Sequence, residues 1–586
     1  MRTWKWMVTA FLLAGFSAMA QTAGKSTSDP TSAPQQAAPQ ASQSADPAAA
    51  QNSGAPTTLN QVVDRAIARE HALVTMLGRR TPLVETYLQN MRNDPQLGPV
   101  PTSDHYYFGR IDMSESGRRD YLSKGNFQGH LLGGITKLFK YDYNPAGFSW
   151  MVFVDRDDFD REHYEFSYVH REFLGDVRCI VFDVTPTKHS GKGRFQGRIW
   201  VEDQDYNIVR MNGTYVPHPA TGFFFHMDSW RVNAVPGYWV PAYVYSEEGD
   251  FSVGSKDKFA FKAQTRIWGY NVRAGMKQDE MTQVLVDSSV KDLSPTAQDA
   301  SPLEAQRAWQ QQAEDNVLER LQNAGLLAPA GDLDKALQTV ANNLIITNNI
   351  ELPRPVRVRV LLTSPLETFS VGNTIVVSRG LIDVLPDEAS IAMVLAHELA
   401  HIVLGHNLGS KYAFDDRMLF SDDATFQNLG FKHVPEEEAA ADKKAMEMLK
   451  PYSAATGQKM DTAGLFLRQI AERGPALQAL LTAHLGNGFT DDKGQLIRFV
   501  ALEQSAPKLD PAKLDQIAAL PLGGRVRLDV WNDSVAMVKT PPTAITSARD
   551  KMPLEVTPFF PRLTRITLSG SSENTTAATN QSSSNN

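Results

Sequence analysis

Apolar and polar residues along the chain alternate in three different textures. Residues 58–92, "TLNQVVDRAIAREHALVTMLGRRTPLVETYLQNM" and its neighbours, carry Val62, Val63, Ile67 and Leu73 at helical spacing. From about Tyr106 to Val272 the spacing shortens to two and aromatic and β-branched residues take over. Phe259, Phe261, Ala263, Thr265 and Ile267 share one face of an extended segment. "CIVFDVTP" (179–186) and "GYWVPAYVYS" (237–246) read as further strands, and residues 194–216 read as strand, turn at Asp203 to Asp205, strand. Many strands joined by short turns predict an antiparallel sheet, curved or half closed. After a polar linker at 289–302 the helical spacing returns, at 303–325 and 332–349. Short strands are predicted at 356–362 and 373–378. A strongly apolar helix then opens at Pro386-Asp387, both ordinary helix-start residues, and a further helix spans 434–449. No internal repeat interrupts this order.

The two ends have no apolar pattern of this kind. Residues 21–57 are mostly Gln, Ala, Ser, Pro and Thr and cannot bury enough surface to order themselves, so they read as a disordered linker; residues 568–586 read as a tail of the same type. Residues 1–20 have the form of an export signal: Arg2 and Lys5, an apolar stretch from Met7 to Phe16, then Ala18-Met19-Ala20 ahead of Gln21. No other stretch has 18 uninterrupted apolar residues, which predicts a soluble, exported, periplasmic chain. The expected division is therefore a signal peptide at 1–20, a linker at 21–57, a helix-plus-sheet domain at 58–288, a second domain at 300–567 and a tail at 568–586. A formal net charge of -8 gives no support for a nucleic-acid partner. Cys179 is the single cysteine; it falls in a strand pattern and reads as a packing residue.

Candidate chemistry concentrates in "VLAHELAHIVLGH" (394–406). Residues four apart on a helix lie on one face, so His397 and His401 can aim both imidazoles at one point. Neutral imidazole is a good zinc ligand. Glu398, rotated by about 100° from His397, would stand beside a metal and act as the base that takes a proton from an activated water. A histidine-only third-ligand motif is excluded, because its glycine and histidine positions are Leu404 and Asn407 here. Gly405 and His406 read as the helix end. The other source of a third ligand is the helix at 434–449, where Glu438 and Asp442 share a face: Glu438 as ligand, Asp442 as hydrogen-bond acceptor for a ligand imidazole. Glu436 and Glu437 suit the positive end of that helix.

"SRGLIDVLPDEASIAMVLAHELAHIVLGH", followed 37 residues after His401 by "EAAAD", resembles the M48 zinc metallopeptidases, the Ste24/HtpX/BepA-like group. The likeness covers about residues 300 to 480. It implies a mainly α-helical zincin (gluzincin-like) metallopeptidase domain, and with the strand pattern ahead of it the fold class expected is an α+β multidomain protein, an antiparallel curved β-sheet domain followed by that helical domain. It further implies one zinc per chain on His397, His401 and Glu438, Glu398 as general base, and Asp442 outside the ligands. In that family the strand before the Gly-Leu turn pairs with extended substrate, which carries the role onto Thr374, Ile375, Val376 and Val377. The segment "ETFSVGN" (367–373) departs from the family's usual Asn-Ala-Phe-like sequence. For the family's later His-Pro or Arg element the candidates are His433, His484, Arg562 and Arg565. The membrane helices of some relatives are absent, in keeping with the soluble exported branch. The sheet region is similar in texture to LolA/RseB-type half-barrels, which implies a lipid or lipoprotein ligand there. The function expected is a cell-envelope endopeptidase acting on extended or misfolded polypeptides, with envelope partner proteins. The alternatives are a chaperone or assembly factor with a largely closed site and a lipid or lipoprotein carrier.

Overall fold

The computed structural model describes residues 56–95, 98–111, 113, 145–216, 225–248, 260–270, 302–406 and 431–510, with short segments at 512–513, 516–523, 525–529, 534–537 and 554–566. The expected signal peptide, most of the linker and the tail lie outside these residues. The described part belongs to one compact unit, Pro56–Asn586.

Helix α1 (Leu59–Leu77) starts at Thr58, whose hydroxyl accepts from the Gln61 backbone N–H while the Gln61 side chain returns the bond. Gly78 ends the helix, and Thr81-Pro82 prevents its continuation. The chain from 83 onward is therefore strand and not helix, a departure from the helical reading of 58–92. Nine strands follow: β1 (Leu83–Asp94), β2 (Gly98–Arg110), β3 (Tyr164–Leu174), β4 (Val177–Pro186), β5 (Arg194–Glu202), β6 (Ile208–Val216), β7 (Phe225–Val235), β8 (Tyr238–Glu248) and β9 (Ala260–Trp268), with helix α2 (Pro145–Trp150) ahead of β3. They form one antiparallel sheet in the order β2-β1-β9-β8-β7-β6-β5-β4-β3. β1 lies between β2 and β9 with residues 83–91 all buried, so it has no solvent-exposed face to produce an apolar-polar period of two, and its polar residues Glu85 and Gln89 are buried with the rest.

The two faces of the sheet are covered differently. One receives α1, α2 and the segment after α2, with Arg231 of β7 in a doubly bonded ion pair with Glu70 of α1, both almost fully buried. The other is polar and aromatic and meets the helical half of the chain. On it Glu85 accepts from Ser364 and Arg379, Gln264 reaches Ser364, and Lys262 pairs with Glu555. Residues 554–566 run across this face. Gln89 bonds the backbone of Leu554 and Val556, Tyr243 packs edge-on to Phe559, and Asp176 N–H donates to the Leu563 carbonyl. This strap was expected within the 300–567 domain; it lies on the sheet because its apolar residues Leu554, Val556, Phe559 and Leu563 are buried there. The cavity described against the sheet is a polar depression of about 510 Å³ over β4 to β6, lined by Asp183, Arg198, Trp200, Arg210 and Asn212 among others.

The second half comprises helices α3 (Pro302–Asn323) and α4 (Asp332–Thr347), strands β10 (Arg357–Leu361), β11 (Thr368–Val371) and β12 (Thr374–Ser378), and helices α5 (Arg379–Val384), α6 (Glu388–Leu404), α7 (Pro435–Thr456), α8 (Asp461–Arg473), α9 (Gln478–Leu481) and α10 (Val500–Ser505). A hairpin of β13 (Val526–Asp529) and β14 (Ser534–Met537) closes the order. Gly380, in the first turn of α5, passes so close to the Ser364 carbonyl that a Cβ would stand 1.8 Å from its oxygen. Among the described residues no helix is long and apolar enough to cross a membrane.

Candidate metal centre

Helix α6 is capped by Asp387, which accepts from Ser390 N–H, and it runs buried without a break from Ala392 to His401. His397 and His401 are 0% exposed and Glu398 is 1% exposed. Helix α7 starts with Pro435 at its first turn and brings Glu438 across from them. The ligand atoms converge: His397 Nε2 to His401 Nε2 is 3.1 Å, His397 Nε2 to Glu438 Oε2 is 3.3 Å, and His401 Nε2 to Glu438 Oε1 is 3.4 Å. These three residues are the group of the described chain that could hold a metal ion. Four ligands around a zinc at about 2.0–2.1 Å are about 3.3 Å from one another, so the spacing fits. The donor chemistry fits as well. His397 Nδ1 faces Asp442 Oδ1 at 2.8 Å and so carries its proton on that side, leaving Nε2 as a lone pair directed at a second imidazole nitrogen.

Glu398 lies beside this group. Its Oε1 accepts from Thr368 Oγ1 at 2.5 Å, and Thr368 begins β11. Arg498, 2% exposed, donates to Thr368 Oγ1 through Nη1 (3.0 Å) and to Glu438 Oε2 through Nε (3.3 Å), while its Nη2 lies 3.6 Å from Glu398 Oε1 without a hydrogen-bond acceptor. The next residue, Phe499, has φ 53°, in the left-handed region, and its N–H bonds Asp442 Oδ2 at 2.8 Å. That sharp turn sets the direction of Arg498. Asn487 Nδ2 donates to Glu438 Oε1, and its backbone pairs with Thr368. Glu367 anchors this segment by accepting from the N–H groups of His484 and Leu485 at 2.7 and 2.8 Å.

Burial works against charge on Glu438, but hydrogen bonds from His397 and His401 and the charge of Arg498 outweigh it and hold the carboxyl well below the usual carboxylate range. Burial and Arg498 likewise oppose charge on His397, while Asp442, Glu438 and Glu398 raise its pKa above the ordinary value. Burial and the neighbouring His401 lower that of His433.

Of the four candidates for a further active-site element, His433 is at the site: its ring stacks on His401 at 3.9 Å and 15°. His484 packs on Tyr106, and Arg562 and Arg565 pair with Asp176 and Glu202 on the sheet. Sequence reasoning missed Arg498, Thr368, Asn487 and His406. A signal for the first existed, since "QLIRFVAL" sets one charge in an apolar run and a buried charge needs partners. The strand expected to pair with substrate is corrected. Thr374–Val377 lie in β12, the centre of the sheet order β10-β12-β11, and both edges of β12 are filled. A strand with both ladders satisfied cannot take a third. The strand beside Glu398 is β11.

Residues 332–508 match the model of Peptidase family M48. The match supports membership of that family and implies metallopeptidase activity, metal-dependent and directed at polypeptides. No curated protein matches the chain.

Proposed function

We propose that this protein is a zinc endopeptidase that cuts extended or misfolded polypeptides in the periplasm. The observation that carries this reading is the convergence of the two imidazoles and the Glu438 carboxylate: His397 Nε2 and His401 Nε2 are 3.1 Å apart, with Glu438 Oε2 3.3 Å from the first and Oε1 3.4 Å from the second. Two imidazoles and one carboxylate are the ligand set of a catalytic zinc that keeps one position open. When bound, the zinc supplies Lewis-acid polarisation of the scissile carbonyl and lowers the pKa of the attacking water. Glu398 takes the proton of that water and delivers it to the leaving amine. Thr368 Oγ1 fixes the Glu398 carboxylate, and Asp442 fixes the tautomer of His397. Arg498 Nη2, a buried donor without an acceptor, stabilises the charge that develops on the carbonyl oxygen. The test is digestion of unfolded casein by the purified chain, with and without a chelator. Turnover that stops with chelator and returns with about one zinc per chain is the expected result; turnover unaffected by chelator sinks the reading.

One observation favours the second reading, a chaperone or assembly factor with a largely closed site. Asn487 pairs with Thr368 on the outer edge of β11 and bonds Glu438, so part of the cleft wall is already filled. Full zinc occupancy without any casein cleavage would select it. For the sheet region, lined on its open side by charged and polar groups, the lipid or lipoprotein ligand and envelope partners stay proposals; lipid co-purifying with the chain would support the first. Export is proposed from residues 1–20, and N-terminal sequencing of the exported protein should return Gln21 or a close neighbour. Recovery of Met1 would reject it.

A further inference from the structure

Histidine ligands are held by a polar partner on the nitrogen away from the metal. Asp442 does this for His397. Among the described residues no carboxylate is paired with that side of His401; its Nδ1 faces His406 Nδ1 at 3.0 Å. We propose that His406 is the positioning residue of His401, accepting the His401 Nδ1–H and fixing Nε2 as the metal-facing atom. This rests on the reading of His401 as a ligand.

The backbone explains how two residues five apart meet. Gly405 stands at φ 71°, ψ 27°, the left-handed turn that ends α6. The turn brings the His406 N–H back to the His401 carbonyl at 3.0 Å. The same wrap that satisfies the end of the helix therefore lays the His406 ring against the His401 ring, with centroids 5.1 Å apart. Proton placement follows from the distances. His401 Nε2 points at His397 Nε2 and Glu438, so in a metal ligand its proton sits on Nδ1. His406 Nδ1 must then be the acceptor and carry its own proton on Nε2. An imidazole acceptor orients the ligand without adding charge, whereas Asp442 adds a negative charge behind His397. The two histidine ligands are thus supported unequally.

The test measures zinc affinity by chelator competition, and the visible spectrum of the cobalt-substituted chain, for wild type, His406→Leu and His406→Asn. Asparagine places an oxygen acceptor close to the Nδ1 position; leucine removes the acceptor and keeps bulk. Expected is a loss of about 10–100-fold in zinc affinity with a changed cobalt spectrum for His406→Leu, and a return to within a few-fold of wild type for His406→Asn. Melting of the metal-free variants reads folding separately. If His406→Leu binds zinc as wild type does, or if both variants weaken it equally, the proposal is overturned. If wild type itself takes up no zinc, the proposed function falls together with it, and that outcome is distinguishable from the other two.

Discussion

At the scale of single residues, the assigned roles separate by what each substitution removes. Glu398→Gln keeps the shape of the side chain and its contact with Thr368, but loses the basic carboxylate. It should fold, keep close to one zinc per chain, and lose about 10²–10⁴-fold in proteolysis. Glu438→Gln replaces a charged ligand with a neutral amide, next to Arg498 and Asn487 that both donate to it, so zinc itself should be weakened or lost. Asp442→Asn leaves the ligands in place but turns one oxygen at His397 or Phe499 into a donor, and should cost about 10–100-fold in metal affinity or activity. Metal analysis and a protease assay on the three purified variants decide this. A Glu398→Gln chain without metal beside a Glu438→Gln chain that retains it would reverse the roles.

Among elements, α1 and β7 are held together by a buried ion pair. Glu70 lies on the buried face of α1 with Val62, Val63, Ala66 and Leu73 because Arg231 waits on β7, and Arg231 also donates to the carbonyls of Ile208 and Val152. Removing one member leaves a buried charge alone, which costs about 3–5 kcal/mol, whereas replacing both with apolar residues is close to neutral. Arg231→Met should lower the urea midpoint accordingly, and Glu70→Leu combined with Arg231→Met should recover most of it. Equal midpoints for the single variant and wild type would mean that the pair does not hold α1 to the sheet. β11 and β12 are distinguished by their pairing. Both are short and fully buried, and only the pairing order tells which one has an edge.

For the whole molecule, the sheet and the helical half are joined by paired polar contacts: the buried pairs of Glu85 with Arg379 and Lys262 with Glu555, and half-buried Asp104 accepting from the N–H groups of Ala479 and Leu480. The strap at 554–566 adds to this joint from the far end of the sequence. Deleting residues 554–586 removes four buried apolar side chains, each worth about 1.5–3 kcal/mol, and uncovers Gln89 and Lys262. The truncated chain should unfold at markedly lower temperature, and limited proteolysis should cut within the sheet region. A melting curve like that of the full chain would show that the strap contributes nothing to the joint.

The local part of this protein was legible in the residues themselves. The helix carrying His397, Glu398 and His401, the facing of Glu438 and Asp442, and the strands from 177 to 216 and from 238 to 268 follow from spacings of 3.6 and 2, which are properties of a short stretch of chain. The structure sets the two helices face to face with Asp442 at His397. Tertiary structure alone decided the rest. Arg498 and Asn487 reach Glu438 from 60 and 49 residues away, Thr368 reaches Glu398 across 30, and Glu85 reaches Ser364 across 279. No periodicity encodes such contacts. β1 escaped notice because a strand buried on both faces has no alternation, and the strap because a short apolar segment does not say which surface it covers. His406 belongs to both groups: Gly405 ends the helix by a local rule, but only the folded turn reveals that the ring beyond it returns to His401.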